Sequence, residues 1–491
     1  MNQFMKDRSA SDRMIAILSS LADRCGETSS ADTASSGTAR NATLRLARTL
    51  SIVLVVVGMA LSASGQGEPP NGPPPGGRGS SGRGGPVRGG APRSAPYTLS
   101  GAYTLNGGTA KIEYQSYRSA TNDVSAIFVQ NGGDLALINP TVTTTGNSSS
   151  TENSSFYGLN AAVLATQGSK VTIVGGSVTT SGTGANGVFA AGRGAAISLS
   201  QVTIRATGDG AHGVMATAGG SLTLDKVNIK TSRARAAAIA TDRGGGTITA
   251  TGGSFTTSGS GSPGIYSTGN IAASNATFNA TGSEAAVIEG RNSINLTDCT
   301  LSSGGRCGVM IYQSFSGDAP GKQGTFIMNG GSLTADIGPL FYVTNTRGVI
   351  TLKGVKATAN SGTLVDARSG RWGSSGSNGG NAVFVADGET LIGNLSCDRI
   401  SSITVTLQNG TTLTGSIKGA ALTMDSTSKW NVTEDSLLTR LSNPMGISGG
   451  TITNIYGNGH EIHYSASLSA NHWLGGKTYA LDGGGHLLPG Q

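Results

Sequence analysis

Gly187-Val188-Phe189-Ala190, Gly213-Val214-Met215-Ala216, Ala238-Ile239-Ala240-Thr241 and Gly264-Ile265-Tyr266-Ser267 decide the fold. Each is a short apolar run opened by a small residue. The same run stands one step earlier at Ala162-Val163-Leu164-Ala165. It continues as Ala286-Val287-Ile288-Glu289, Gly308-Val309-Met310-Ile311 and Pro339-Leu340-Phe341-Tyr342, with a longer last step. A period that holds near ~25 residues over so many copies is the mark of a solenoid.

Three short strands fit into each period. Gly213-Val214-Met215-Ala216 is followed by Ser221-Leu222-Thr223-Leu224 and then Val227-Asn228-Ile229-Lys230. Apolar residues alternate at period two, β-branched residues are enriched, and Gly, Asn, Asp and Ser punctuate the runs, all of which favours strand over helix. Three strands in about 22–26 residues is the arithmetic of an all-β, right-handed parallel β-helix. A leucine-rich repeat would show a fixed Leu/Asn consensus, and a propeller unit would need about 40 residues. Each rung buries its inward side chains only against its neighbours. In so narrow a prism, small residues suffice to fill the interior.

Composition agrees. The chain has 491 residues, of which 78 are Gly, and only 12% are charged. Low charge with abundant Gly suits disorder, but the periodic Val, Ile and Leu after residue 97 argue for a packed body. The formal charge of +7 is carried mostly ahead of that point: after residue 97, 23 basic residues face 21 acidic ones. A near-neutral body has no electrostatic footprint for nucleic acid.

Four segments follow from the order of the chain. Residues 1–65 form a polar tail and a signal peptide. Arg40, Arg45 and Arg48 precede the apolar run Leu50-Ser51-Ile52-Val53-Leu54-Val55-Val56-Val57-Gly58-Met59-Ala60-Leu61, and the small residues Ser62-Ala63-Ser64-Gly65 close it. This is the layout of a secretory signal. A membrane span needs ~20 apolar residues, so no span is expected in the mature chain. Residues 66–96 form a Pro/Gly/Arg-rich linker in which Arg78, Arg83, Arg88 and Arg93 stand among glycines. Arg-Gly segments bind RNA when aromatics interleave; here none do, and a solvated spacer is the simpler reading. Residues 97–121, with Tyr97, Tyr103, Tyr114 and Tyr117, are expected to cap the first core layer. Residues 122–491 are the β-helix proper. Three insertions leave it, at 146–156, 313–325 and 368–381, the first read as a polar loop. Insertions in a solenoid map to one face and are where binding groups sit.

The repeat body resembles the pectate-lyase-like superfamily of right-handed β-helices, and more closely the exported, adhesin-like β-helix proteins of bacteria. The likeness covers residues 97–491. Its carriers are Ser155-Phe156-Tyr157-Gly158-Leu159-Asn160-Ala161-Ala162, Asp242-Arg243-Gly244-Gly245-Gly246, Gly308-Val309-Met310-Ile311-Tyr312-Gln313 and Arg371-Trp372-Gly373. The stretch from Leu422 to Leu437, with Ser428-Lys429-Trp430-Asn431-Val432-Thr433, is similar to the closing rungs of autotransporter passengers. The sequence stops at Gln491, soon after Trp473, so the outer-membrane barrel of that group is not expected here. The resemblance implies an exported protein at the surface of a bacterium or outside it, adhesive or structural, with glycans or other surface components as partners. The alternative it carries is a polysaccharide lyase or glycoside hydrolase.

Aligning the rungs at Ile239, Ile265, Val287, Val309, Leu340 and Leu364 places polar groups at the exit of the first strand: Asp242 and Arg243, Glu289 and Arg291, Asp366 and Arg368. A lyase needs stacked carboxylates for calcium and a positioned base. These pairs are interrupted by rungs carrying Thr268, Tyr312 and Asn345. With rungs ~4.8 Å apart, Asp242 and Glu289 stand about 10 Å apart, too far to share one ion. A ladder of solvated ion pairs is the simpler account. No catalytic residue, metal ligand set or cofactor is assigned. The expected ligand-binding set is Asp242, Arg243, Glu289, Arg291, Tyr312, Tyr342, Asp366, Arg368 and Trp372, because aromatic faces beside charged groups suit sugar rings. Tyr312 and Tyr342 as ordinary stacking residues, with Trp372 pinning its loop, is the plainer alternative.

His212 stands in a repeat turn, and His460, His463, His472 and His486 lie near the C-terminus without Cys at zinc spacing. Asp225, Asn275 and Asp298 read as turn residues. Export permits a disulfide, and Cys299 with Cys307, flanking a Ser/Gly loop, is the candidate pair, which would leave Cys397 free. N-terminal sequencing of the secreted protein is expected to begin within residues 63–67; recovery of the intact chain in the cytoplasm would contradict export.

Overall fold

The computed structural model divides into two units, residues 1–68 and 69–491. It describes residues 97–490 except 316, 318 and 320, all within the second unit. The polar tail, signal peptide, Cys25 and linker expected from the sequence lie outside the described residues.

The chain winds as a right-handed parallel β-solenoid with three faces. Strands of the first face include Val163–Thr166, Val188–Ala191, Val214–Thr217, Ile239–Asp242, Ile265–Ser267, Ala286–Glu289 and Val309–Tyr312. Each pairs in parallel with the strand one rung away. The second face runs through Lys170–Val174, Ala196–Ser200, Gly220–Asp225 and their successors. The third face is a separate ten-stranded sheet from Ser116–Ser119 to Lys356–Ala359. Second-face strands alternate cleanly: in Lys170–Val174 only Val171 and Ile173 are buried.

The corner between the second and third faces is turned by one residue in the left-handed conformation. Asn139, Gln201, Lys226, Asn275 and Asp298 sit there at φ of 48, 56, 51, 53 and 51°, and Gly175 and Gly252 take the same position at 67 and 63°. An ordinary side chain resists this conformation, whereas Gly, Asn and Asp accept it. This explains the punctuation of the sequence and places Asn275 and Asp298 in turns, as expected. Asp225 differs: it ends its strand, accepts a bond from Ser200 Oγ at 3.0 Å, and leaves the corner to Lys226.

Inward side chains stack in columns. Val188, Val214, Ile239, Ile265, Ala286 and Val309 form one, by register. On the third face, Phe255 stacks on Phe278 with ring centroids 4.6 Å apart. The alignment drawn from sequence slips by one residue at three rungs. Ile265 pairs with Ala286 and not Val287, Val309 with Phe341 and not Leu340, and Phe341 with Val365 and not Leu364. A slip of one residue exchanges the two faces of a strand. Val287 therefore points outward, beside Tyr266, while Ala286 and Ile288 fill the core.

The expected cap segment takes a definite form, and one further expectation, at the 146–156 insertion, changes. Residues 97–121 build a complete rung: Ser100–Asn106, Thr109–Glu113 and Ser116–Ser119 each pair with the next rung. Its half-buried Tyr103 and Tyr117 meet edge to face at 5.3 Å against the core. The insertion at 146–156, read as a polar loop, contains a helix, α1 (Thr151–Tyr157). Ser150 caps it by accepting a bond from the Asn153 N–H at 3.1 Å, and Gly158 ends it at φ 77°. Toward the C-terminus the rungs shorten. Val405 pairs with Leu422 and Leu422 with Leu441, each a smaller step than between the early rungs, because the strand Ile417–Met424 runs unbroken across a corner.

A polar ladder climbs the corner before the first face. The Asn186 side chain accepts from the His212 N–H at 2.8 Å, and His212 Nδ1 accepts from the Ala237 N–H at 3.0 Å. His212 is fully buried, and burial lowers its imidazole from 6.5 to about 4.

Two outcomes are expected. Ile239→Ala, at a side chain with no exposure, lowers unfolding stability by ~2–5 kcal/mol, read by urea melts. His212 titrates lower in the folded chain than in the unfolded one. The stability held by the neutral ring is therefore complete above 6.5 and is lost as pH falls from 6.5 toward 4, by about 3 kcal/mol in all. His212→Asn, which keeps an acceptor as Asn186 does, flattens that pH dependence.

Candidate functional site

The first face is buried on both sides, which is why its strands read as unbroken apolar runs. Its outer column runs Phe128, Leu164, Phe189, Met215, Ala240, Tyr266, Val287 in successive rungs. All seven are buried. Cover arrives from two edges. Helix α1 folds over the N-terminal rungs: Thr217 Oγ1 donates to the Phe156 carbonyl at 2.8 Å, and the Arg243 guanidinium lies 3.7 Å over the Phe156 ring and 3.5 Å from Glu152 Oε1. The approach is close enough to demand glycine at 158, where a Cβ would fall 2.6 Å from Leu164 Cδ1. From the opposite edge, the insertions at 313–325 and 368–381 close over the later rungs. Asn345 Nδ2 donates to the Gln313 carbonyl at 2.8 Å and holds the first insertion to the next rung, Asn378 Nδ2 donates to the Trp372 carbonyl at 2.9 Å within the second, and the Phe315 and Trp372 rings bring the two together.

Glu289 is the centre of this face. Its Oε2 accepts from Tyr266 at 2.5 Å and Tyr312 at 2.7 Å, and its Oε1 accepts from Ser314. Burial and then the Glu289 charge push both phenols well above their ordinary value, so they remain donors. Asp242, also buried, accepts from the Arg243 N–H at 2.8 Å. Neither carboxylate belongs to a solvated ladder.

An aromatic ledge adjoins. Tyr312 and Trp372 approach to 5.4 Å, Phe315 meets Trp372 at 5.5 Å, and the Arg371 guanidinium lies 4.2 Å over the Trp372 ring. Trp372 is 8% exposed, Phe315 64%. Beside them Arg371, Asn378, Asp398, Arg399 and Ile400 line a shallow depression.

Of the residues expected from sequence, Glu289, Tyr312 and Trp372 come together, with Asp242 two rungs from Glu289. Asp366 does not continue their column. The Glu289–Tyr312 column continues to Thr344, whereas Asp366 pairs with Tyr342, two positions earlier in the strand, and is bridged by Arg368 at 2.7 Å. Burial raises the Asp366 carboxyl, against the pull of Arg368. Arg243 turns away onto α1, and Arg291 is exposed. Cys299 and Cys307 are buried free thiols and not a disulfide. The strand Thr300–Ser303 stands between them, and at ~3.3 Å per residue it parts them beyond the Cα spacing of up to ~6.8 Å that a bridge allows. Sequence reading passed over Tyr266, Ser314, Phe315 and Arg371. Tyr266 alone carried a signal, as a rare aromatic inside a repeat.

Among the described residues no three His, Cys, Asp or Glu side chains converge as a metal site, and no helix is long and apolar enough to cross a membrane. Comparison with known proteins gave no match to a family model, a curated protein or a solved structure.

Glu289→Leu strands two buried phenols without their acceptor, at about 1–3 kcal/mol for each. Glu289→Gln keeps an acceptor oxygen and is expected to cost less; urea melts of the two variants check the order.

Proposed function

We propose that this chain is an exported, non-enzymatic β-helix that works at the surface of a bacterium or in its matrix as an adhesive or structural element, and that it binds glycans at the ledge of Phe315, Arg371 and Trp372. The ledge carries the reading. An exposed aromatic ring backed by a second ring and a guanidinium suits the apolar side of a sugar, and the depression beside it offers Asn378, Asp398 and Arg399 for hydroxyls and acidic groups. The likeness to exported, adhesin-like members of the pectate-lyase-like superfamily points the same way.

Glu289 weakens the lyase alternative. Its two oxygens already accept three hydroxyl bonds, so neither is placed to reach a substrate proton. Asp366 is held by Arg368.

On a glycan array, Phe315→Ala, Arg371→Ala and Trp372→Ala are each expected to weaken retention tenfold or more, and Arg291→Ala to leave it unchanged. Retention by the three ledge variants would move the site elsewhere. Depolymerisation of an acidic polysaccharide, with or without calcium, would replace this reading with an enzymatic one.

A further inference from the structure

The two ends of the solenoid are finished differently. At the N-terminal end, among the described residues, Ser100–Asn106, Thr109–Glu113 and Ser116–Ser119 each pair with the second rung and with no strand on the opposite edge. The inward layer there, Tyr103, Leu105, Ala110, Ile112 and Tyr117, is only half-buried, whereas Ile127, Leu135, Leu137 and Val142 one rung on are buried. Residues 97–99 do not screen this layer. Tyr97 stacks on Tyr157 with centroids 4.5 Å apart, and Leu99 packs against the outer column of the first face, both to the side of the end. At the C-terminal end the last strand, His486–Gly490, pairs with Glu461–Ser465 on one edge and with Tyr479–Asp482 on the other, and Pro489 in it has no N–H to offer.

We propose that the N-terminal end is an interface at which two copies of this chain meet head to head, their Thr109–Glu113 strands paired antiparallel about Ile112. An open strand edge over a half-buried apolar layer is a template for pairing, and the end of a solenoid needs cover. Three observations select a second copy in this register. First, charge: Lys111 and Glu113 stand outward on either side of Ile112, with Nζ and Oε1 2.7 Å apart. Pairing about Ile112 sets Lys111 of each copy opposite Glu113 of the other. A centre at Lys111 or at Glu113 would oppose like charges, which directly facing positions of a sheet penalise. Second, Tyr114 turns the corner of the first rung at φ 53°, where the next two rungs place Asn139 and Gly175, and it is 71% exposed. A bulky side chain in the left-handed region is uncommon. The same register brings Tyr114 across from Ala110 of the second copy, within reach of the half-buried layer. Third, symmetry: head-to-tail stacking needs an open edge at both ends, and the last strand offers none. Pairing of like ends is isologous and closes at two copies. The two ledges beside Tyr312 then stand on opposite arms, each eight rungs from the first, or about 38 Å at ~4.8 Å per rung.

Sedimentation equilibrium of the full chain over a dilution series tests this. The readout is mass and involves no glycan, so the result is independent of the ledge. The expected result is a monomer–dimer equilibrium with no larger species. Lys111→Glu and Glu113→Lys each set like charges opposite one another and should raise the dissociation constant at least tenfold. The double variant Lys111→Glu/Glu113→Lys is complementary again and should return it toward the parent value. Both positions are exposed, so the fold is kept in all three variants, which circular dichroism checks. A monomer at every concentration overturns the proposal and would make another part of the chain, or a different partner, the cover of this end. A dimer that neither single change weakens places the contact elsewhere and overturns it as well. So does a double variant that stays as weak as the single ones, or growth beyond two copies with concentration, which would mean head-to-tail stacking.

Discussion

No rung of this molecule has a core of its own. A single turn carries a few inward aliphatic side chains, and these leave water only when the turns above and below close over them. The parallel backbone ladder sets the spacing at which that happens, so stacking and hydrogen bonding are one constraint. Val188, Val214, Ile239, Ile265 and Ala286 stand in one column because each strand is held in register by its neighbours. A chain with 78 glycines and few large apolar residues folds under this constraint because the interior it must fill is narrow. The constraint also fixes where extra residues can go. Insertions leave at corners, since one inside a strand would break the ladder on both sides.

Two-sided burial of the first face follows from where those insertions turn. Helix α1 arrives from the corner before the first face, and the 313–325 and 368–381 segments from the corner after it. The side chains they cover would otherwise face water. Carboxylates on such a face need compensation, because a buried charge without partners is costly. Glu289 finds it in three hydroxyls. Arg243 finds a ring and a carboxylate on α1. The same insertions that hide these groups bring Phe315 and Arg371 to the surface around Trp372, so cover and ledge are two results of one arrangement.

A carboxylate satisfied by hydroxyl donors is a fixed structural acceptor. Tyr266, Glu289 and Tyr312 lie on three successive rungs, and their bonds clamp those rungs from outside as the aliphatic column does from inside. This gives the central first-face rungs a polar brace that the early rungs lack. There the brace is the Asn186–His212 ladder at the neighbouring corner.

The sequence by itself determined the solenoid. Period, strand alternation and turn residues are local properties, and the left-handed corner leaves its mark as Asn, Asp or Gly at most rungs, with Tyr114, Gln201 and Lys226 as exceptions. It also picked out Glu289, Tyr312 and Trp372, because acidic and aromatic residues stand out in a chain this poor in both. Register on the first face was decided only by the tertiary structure. A strand buried on both sides loses the alternation that says which way a side chain points, so Val287 and Ala286 are equivalent as sequence and opposite as structure. The helix in the 146–156 insertion was hidden for a similar reason. Its stability comes from Phe156 packed on another rung's arginine, and helix propensity over so short a segment is too weak to show without that contact. The fate of Cys299 and Cys307 depended on the strand running between them, and that of Glu289 on two tyrosines, one in the rung before it and one in the rung after. These are contacts between residues far apart in the chain, and the rungs had to be stacked before they existed.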